Sequence, residues 1–445
     1  MVVLIKILQV ILALSILIII HEAGHFTFAK IFGIRVDKFF LFFDAGGTKL
    51  FSTKGRFFTK LFPKAASWET EYGIGWLPLG GYCKIAGMID ESMDLEGMKR
   101  EPQSWEFRTH PAWQRLLVMA GGVLYNFLFA VIAFIIIVGT WGESYLPNEG
   151  NCIYASELAE EMGFRTGDRI LAFDDYVPED FSLLQADLAR RNVRKATVLR
   201  GTDTLDIYID QSLIGAVLQN AGMFDLAVPF VVDSLMALSP NAGADLRHGD
   251  RITAIDSVAV PYVQDSRPVL EARAGGTVQA TVLRGETSLC IPLQVDSAGR
   301  IGVYLVMPEM VRREYSFLQA IPAGAKMTWE SVAGYVRDLR LVFTPRTKAY
   351  KSVGSFIAIG QVFPSKWNSY QFLYLLAMLS IMLGVMNLLP IPALDGGHIV
   401  ICLFEMLTGR KPGERFLVVA QIFGMILLLL LMVLAFGNDI ARLIK

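Results

Sequence analysis

The chain has 445 residues, 53% of them hydrophobic and 19% charged, with a mean hydropathy of +0.45, above the usual soluble average. With 41 basic and 42 acidic residues the net charge is −1, so no overall field draws the protein to nucleic acid. Four cysteines, Cys83, Cys152, Cys290 and Cys402, stand far apart without a CxxC pair, which excludes a disulfide scaffold and a thiolate zinc site.

A bilayer crossing needs about 20 mostly apolar residues. The first such segment runs from Val2 to Ala29, interrupted by Lys6 and Gln9. It passes straight into HEAGHFTFAK with no small-residue cleavage pattern, which predicts a retained helix rather than a removed signal peptide. In HEAGH, His21 and His25 are four apart and share a helical face, so both imidazoles can aim at one ion. Glu22 lies beside that face, where it can reach a water on the metal without ligating. Counted back from Lys30, His25 is about 7 Å and His21 about 14 Å inside the span. Ionisable groups at such depth usually mark function.

After the first span, from Lys30 to Lys64, eight Lys or Arg stand against two acids, Asp37 and Asp44, which places this loop in the cytoplasm. Within the stretch from Phe39 to Gly87, YGIGWLPLGGYCKIAG (Tyr72 to Gly87) is apolar, glycine-rich and broken by proline. Irregular backbone at membrane depth must be buried in protein or line a wet cavity. The region therefore reads as a membrane-associated β-hairpin, one or two short strands dipping toward HEAGH. The second span runs from Leu116 to Trp141, with Trp113 and Trp141 at its ends where interfacial aromatics belong.

The stretch from Glu143 to Glu309 holds a repeat. Gly167-Asp168-Arg169-Ile170 recurs 82 residues later at Gly249-Asp250-Arg251-Ile252, and TVLRG occurs at Thr197 to Gly201 and again at Thr281 to Gly285. Two small β-rich units in tandem follow from this. Next, Phe317, Ile321, Met327, Val332, Tyr335, Leu339 and Val342 fall at helical spacing. They predict an amphipathic helix on the outer membrane surface, or packed on the tandem or the spans.

The third span begins near Phe372 and is interrupted by NLLPIPALDGGH, Asn387 to His398. Pro390 and Pro392 end the helix, and Gly396 and Gly397 let the backbone turn. Catalytic zinc takes three protein ligands and keeps a place for water. Asp395, at the break, is the expected third ligand; His398, expected to begin the resumed helix, ranks second, and Asp395 as a mere helix cap is the alternative. The fourth span runs from Phe416 to Phe436, preceded by Arg410, Lys411 and Arg415, a second cytoplasmic loop. With four spans, both chain ends and the repeat face outward.

The Gly-Asp-x-Ile pattern of each repeat resembles the PDZ domain, in the circularly permuted form of bacterial envelope proteases. That implies capture of extended peptides by strand addition, or a steric filter. HEAGH, NLLPIPALDGG, four spans and two outward repeats together resemble the site-2 protease family of intramembrane zinc metalloproteases. The resemblance implies a polytopic α-helical membrane protein with four transmembrane helices and a PDZ tandem. Residues 1–142 would form the first half of the protease core, 143–225 and 226–309 the two PDZ domains, and 310–445 the interfacial helices and second half of the core. It further implies zinc on His21, His25 and Asp395, with Glu22 as acid and base. Pro78 to Tyr82 (PLGGY) would hold substrate as an added strand through Gly80, Gly81 and Tyr82, and Asn387 would handle substrate. The implied setting is a bacterial inner membrane, with the tandem outside and the active site in the cytoplasmic half. The implied partners are the lipid bilayer and single-span membrane proteins, such as anti-sigma factors or remnant signal peptides, and not nucleic acid. Two positions depart from the family: Val123 follows MAGG where proline is usual, although Asn126 is kept, and Gly354-Ser355 stands where Gly-Pro is expected. Two other functions fit the residues: a non-catalytic scaffold around a structural metal, with His398 as fourth ligand, and an ion or proton transporter.

Overall fold

A computed structural model describes residues 2–78, 80–88, 101–219, 222–237, 239–342, 344 and 356–444; Leu79, Gly354 and Ser355 lie outside the described residues. The chain divides into two compact units, one of residues 1–143, 314–343 and 350–445, the other of residues 144–313 and 344–349.

Among the described residues, four helices of the first unit are long and apolar enough to cross a membrane: α1 (Val2–Ile31), α3 (Ala112–Trp141), α5 (Ser369–Asn387) and α7 (Glu414–Ile444). α1 and α3 cross where their backbones touch. A Cβ on Gly24 would lie 2.2 Å from the Gly121 carbonyl oxygen, so only glycine permits the approach. Above that crossing Ala130, Phe134 and Ile137 of α3 pack with Ala377, Ile381 and Val385 of α5. The amphipathic segment forms α4 (Phe317–Val342), and its Met327, Val332, Tyr335 and Leu339 pack onto this α3–α5 cluster. The spans are therefore one support of that apolar stripe.

The hairpin expected between the first two spans is instead a four-stranded sheet. Its strands are β1 (Val36–Leu41), β2 (Lys49–Ser52), β3 (Glu71–Gly75) and β4 (Tyr82–Ile85), in the order β2-β3-β1-β4. β1 and β3 run parallel, with Lys38 opposite Glu71 and Leu41 opposite Ile74, while β4 is an antiparallel edge with Tyr82 opposite Phe40. Parallel pairing needs a long crossover, here holding the short helix α2 (Arg56–Leu61), and local alternation cannot reveal it. The sheet packs beside α1: a Cβ on Gly81 would lie 2.4 Å from Cγ2 of Ile18. The entry to β4 thus sits at the level of the helical turn preceding His21.

In the second unit the two repeats have matching ladders. Strand Arg169–Phe173 pairs with Lys195–Arg200 through Ile170↔Val198, and strand Arg251–Ile255 pairs with Thr277–Arg284 through Ile252↔Val282. The register shifts at the same place, Ile170/Ala172 and Ile252/Ala254. The recurring sequence words mark a buried ion pair in each copy. Asp168 and Asp250 are fully buried, and each accepts two hydrogen bonds of 2.8 Å from one guanidinium, Arg200 and Arg284 respectively. Each copy closes on its own apolar core, centred on Phe164, Phe173 and Leu184 in the first and on Ile252, Val282 and Leu293 in the second. Tyr154 of the first copy donates to Asp265 of the second at 3.1 Å.

Candidate metal centre

α1 is unbroken through HEAGH, so His21 and His25 stack one turn apart and turn the same edge toward α3. Their Nε2 atoms lie 3.3 Å apart. Asp395 meets both, Oδ2 at 3.3 Å from His21 Nε2 and Oδ1 at 3.5 Å from His25 Nε2, with the three side chains 10%, 8% and 15% exposed. No other group of three or more potential ligands converges among the described residues. The spacing is itself informative: ligands about 2.0–2.1 Å from a tetrahedral ion stand about 3.3–3.4 Å from one another. Asp395 Oδ2 is moreover buried and accepts no hydrogen bond. Two imidazole nitrogens and a carboxylate turned on one another are, with the ring nitrogens deprotonated, a donor set for a divalent cation.

Asp395 arrives by a different local route from the one expected. The helix resumes earlier: Asp395 is itself the first residue of α6 (Asp395–Thr408), and Leu394 is the N-cap, without a side-chain hydrogen bond. Asp395 therefore caps nothing. Ala393 holds φ at 85°, a left-handed conformation rare for a residue with a Cβ, immediately before this turn. Farther along α6, Glu405 forms a 2.6 Å ion pair with Arg115 of α3, both side chains about nine-tenths buried. This pair ties the helix that carries Asp395 to the helix that backs the histidines. His398 is not among the converging atoms; it lines a cavity with Arg115, Cys402 and Gln421.

Several contacts that hold the histidines were not signalled by spacing. His25 Nδ1 donates to the Val118 carbonyl at 2.9 Å, which leaves Nε2 with its lone pair facing Asp395. The fully buried Asn126 amide lies 3.1 Å from His21 Nδ1, while its Oδ1 has no partner. Oxygen and nitrogen of an amide exchange by a half turn, and with Oδ1 toward the ring it accepts from Nδ1–H. His21 then also presents the Nε2 lone pair. Gly122 completes the wall: a Cβ there would lie 2.5 Å from His25 Nε2 and 2.6 Å from His21 Cε1. The one available hint was the MAGG word, whose last glycine faces the imidazoles.

The remaining candidates lie around this centre. Asn387, the last residue of α5, has its Nδ2 3.1 Å from His21 Nε2. Glu22 accepts a hydrogen bond from the backbone amide of Cys83, so β4 touches the expected base directly. Gly80 and Gly81 precede that strand, Gly80 against the Phe43 ring. The Tyr82 ring stacks on Phe40 and Phe43, and its hydroxyl donates to Asp44 at 2.8 Å. Tyr82 thus braces the sheet.

The sequence model of peptidase family M50 matches residues 9–431. A regulator of sigma-E protease RseP from Escherichia coli (strain K12) is 28% identical, over 97% of this chain and 98% of its own length. The protein of that name in Salmonella typhimurium (strain 14028s / SGSC 2262) and the regulator of sigma E protease in Salmonella typhi are likewise 28% identical, each over 97% of this chain and 98% of its own length.

Proposed function

The chain belongs to peptidase family M50, and from that footing we propose that it is a membrane-embedded zinc metalloprotease. Its substrates are single-span membrane proteins, cut in or near their transmembrane segments. The observation that carries the reading is the convergence of His21, His25 and Asp395 at tetrahedral-edge distances, with Glu22 beside them.

His21, His25 and Asp395 would hold the zinc. When bound it supplies a water acidic enough to be deprotonated near neutrality, and a Lewis acid for the carbonyl. Glu22 takes the proton from the attacking water and returns it to the leaving amine. Asn387, next to His21, orients the scissile carbonyl and donates to its oxygen as charge develops there. A helical substrate hides its carbonyls in its own hydrogen bonds and must unwind before attack. β4 is an edge strand whose Cys83 amide already meets Glu22, so an unwound segment pairing along Gly80 to Tyr82 is delivered beside the base.

Residues 143–225 and 226–309 are two PDZ-type domains in this reading, supported by their duplicated ladders and Asp–Arg pairs. They face outward and screen substrates by size or by capture of an extended end. Residues 1–142 and 310–445 are the two halves of the core. The reading places the protein in a bacterial inner membrane, with anti-sigma factors and remnant signal peptides as the substrate classes. The relatives' names, which tie those proteins to sigma-E regulation, support it.

The test is co-expression with a panel of single-span substrates, wild type against Glu22→Gln. Zinc content should be unchanged while cleavage falls by at least about 10²-fold. Full cleavage by the variant would refute the assignment.

A further inference from the structure

Residues 54–68, in the crossover from β2 to β3, expose apolar side chains that the described residues of the first unit leave uncovered. Phe57 is 84% exposed, Leu61 63%, Phe62 51% and Trp68 44%. Phe57 and Leu61 are four residues apart on α2 and share a face. Phe58 turns the other way, with ring centroids 5.4 Å from Phe51 and 6.4 Å from Trp68. Interleaved with the outward aromatics are Lys54, Arg56, Lys60 and Lys64, all exposed, and no acidic residue occurs from 45 to 68. Among the described residues none of these four forms an ion pair.

The level of this segment is set by its neighbours. Lys30, in the last turn of α1, pairs with Glu69, and Thr70 donates to the Val36 carbonyl at 2.8 Å. Residues 54–68 are therefore moored beside the end of the first apolar helix, where a spanning helix meets the headgroups. From there the sheet runs inward along α1, through Leu41 opposite Ile74, to Gly81 beside Ile18.

We propose that residues 54–68 are an interfacial foot that docks on the cytoplasmic lipid surface around the core. Phe57, Leu61, Phe62 and Trp68 enter the boundary between headgroups and acyl chains, and Lys54, Arg56, Lys60 and Lys64 meet anionic headgroups. Aromatic and leucine side chains on one face, with lysine and arginine beside them, suit that layer and no aqueous one. A second copy of the chain is a poor occupant, because it would set basic groups against basic groups. The foot fixes the height of the sheet, and hence of β4, whose amide meets Glu22.

The test uses the full chain in nanodiscs and reads lipid contact alone, so it is independent of whether the protein cuts peptides. Photoreactive benzoylphenylalanine is placed at Phe57, Leu61 or Phe58 in discs of phosphatidylethanolamine and phosphatidylglycerol. Positions 57 and 61 should give phospholipid adducts, and position 58, turned inward, only adducts within the chain. Exchanging Lys54, Arg56, Lys60 and Lys64 together for glutamine should lower the lipid yield severalfold in the anionic discs and leave it unchanged in phosphatidylcholine. Adducts to a second copy at 57 or 61, or no lipid adduct at either, would overturn the foot. Equal yields from the two charge states in anionic discs would overturn the headgroup contact.

Discussion

Replacing Gly122 by alanine is the sharpest probe of how the histidines are held. The added Cβ would stand 2.5 Å from His25 Nε2, 2.6 Å from His21 Cε1 and 2.8 Å from His21 Nδ1, against ordinary contacts from 3.4 Å upward. One or both rings must therefore retreat by up to about 0.9 Å, well beyond the roughly 0.2 Å that metal–ligand distances tolerate. Zinc affinity should fall by about 10- to 100-fold, the range for losing support around a ligand. Cleavage should fall by about 10²-fold, as for other misplacements near 1 Å. Affinity is read on the purified full chain by competition with a chelating dye. Gly139→Ala serves as control, because a Cβ on that glycine of the same helix meets only Ala320 Cβ at 3.4 Å. Wild-type zinc affinity in Gly122→Ala, with Gly139→Ala equally unaffected, would refute the claim that this backbone forms the wall of the metal centre.

Asn126→Asp keeps an oxygen to accept from His21 Nδ1–H and should hold zinc nearly as well as the parent. Asn126→Leu removes the acceptor and should lose about 10- to 100-fold in affinity by the same competition assay. Arg284→Met strands the fully buried Asp250 carboxylate and should cost about 3 kcal/mol, lowering the unfolding temperature of the β-rich unit by about 6–12 °C in calorimetry. Hydrogen bonds from Arg284 hold the Asp250 carboxyl below the usual carboxylate range. A depressed carboxylate contributes its full stability above about pH 4 and loses it as the pH falls through the folded value, so acid scans should destabilise the parent more steeply than Arg284→Met.

What the sequence disclosed was chemistry with a spacing. HEAGH puts two imidazoles on one helical face whatever surrounds it, and the proline break at Pro390 and Pro392 advertises irregular backbone at depth. The recurrence of GDRI and TVLRG disclosed the tandem. It did not disclose that the Asp of one word grips the Arg of the other, because strand pairing decides that. The sheet between the first two spans was read as a hairpin because Lys38 and Glu71 meet through a parallel pairing that leaves no local signature. Val118 supports His25 through its carbonyl, which is silent as to side chain. Gly24 and Gly121 look like ordinary small residues until two helices are crossed at the right point. The start of α6 came out three residues early because glycines at 396 and 397 weigh against a helix locally, whereas tight backbone packing there requires them.

The centre joins an early part of the chain to a late one, Asp395 standing 370 positions after His25. At about 5–20 residues per second, a ribosome needs roughly 20–75 s to travel that distance. Throughout that interval the newborn polypeptide has two of the three proposed ligands, one short of the catalytic zinc set. In the proposed reading, dispersal of the ligands along the gene thus acts as a built-in delay, and the nascent chain stays inert until Asp395 has been made.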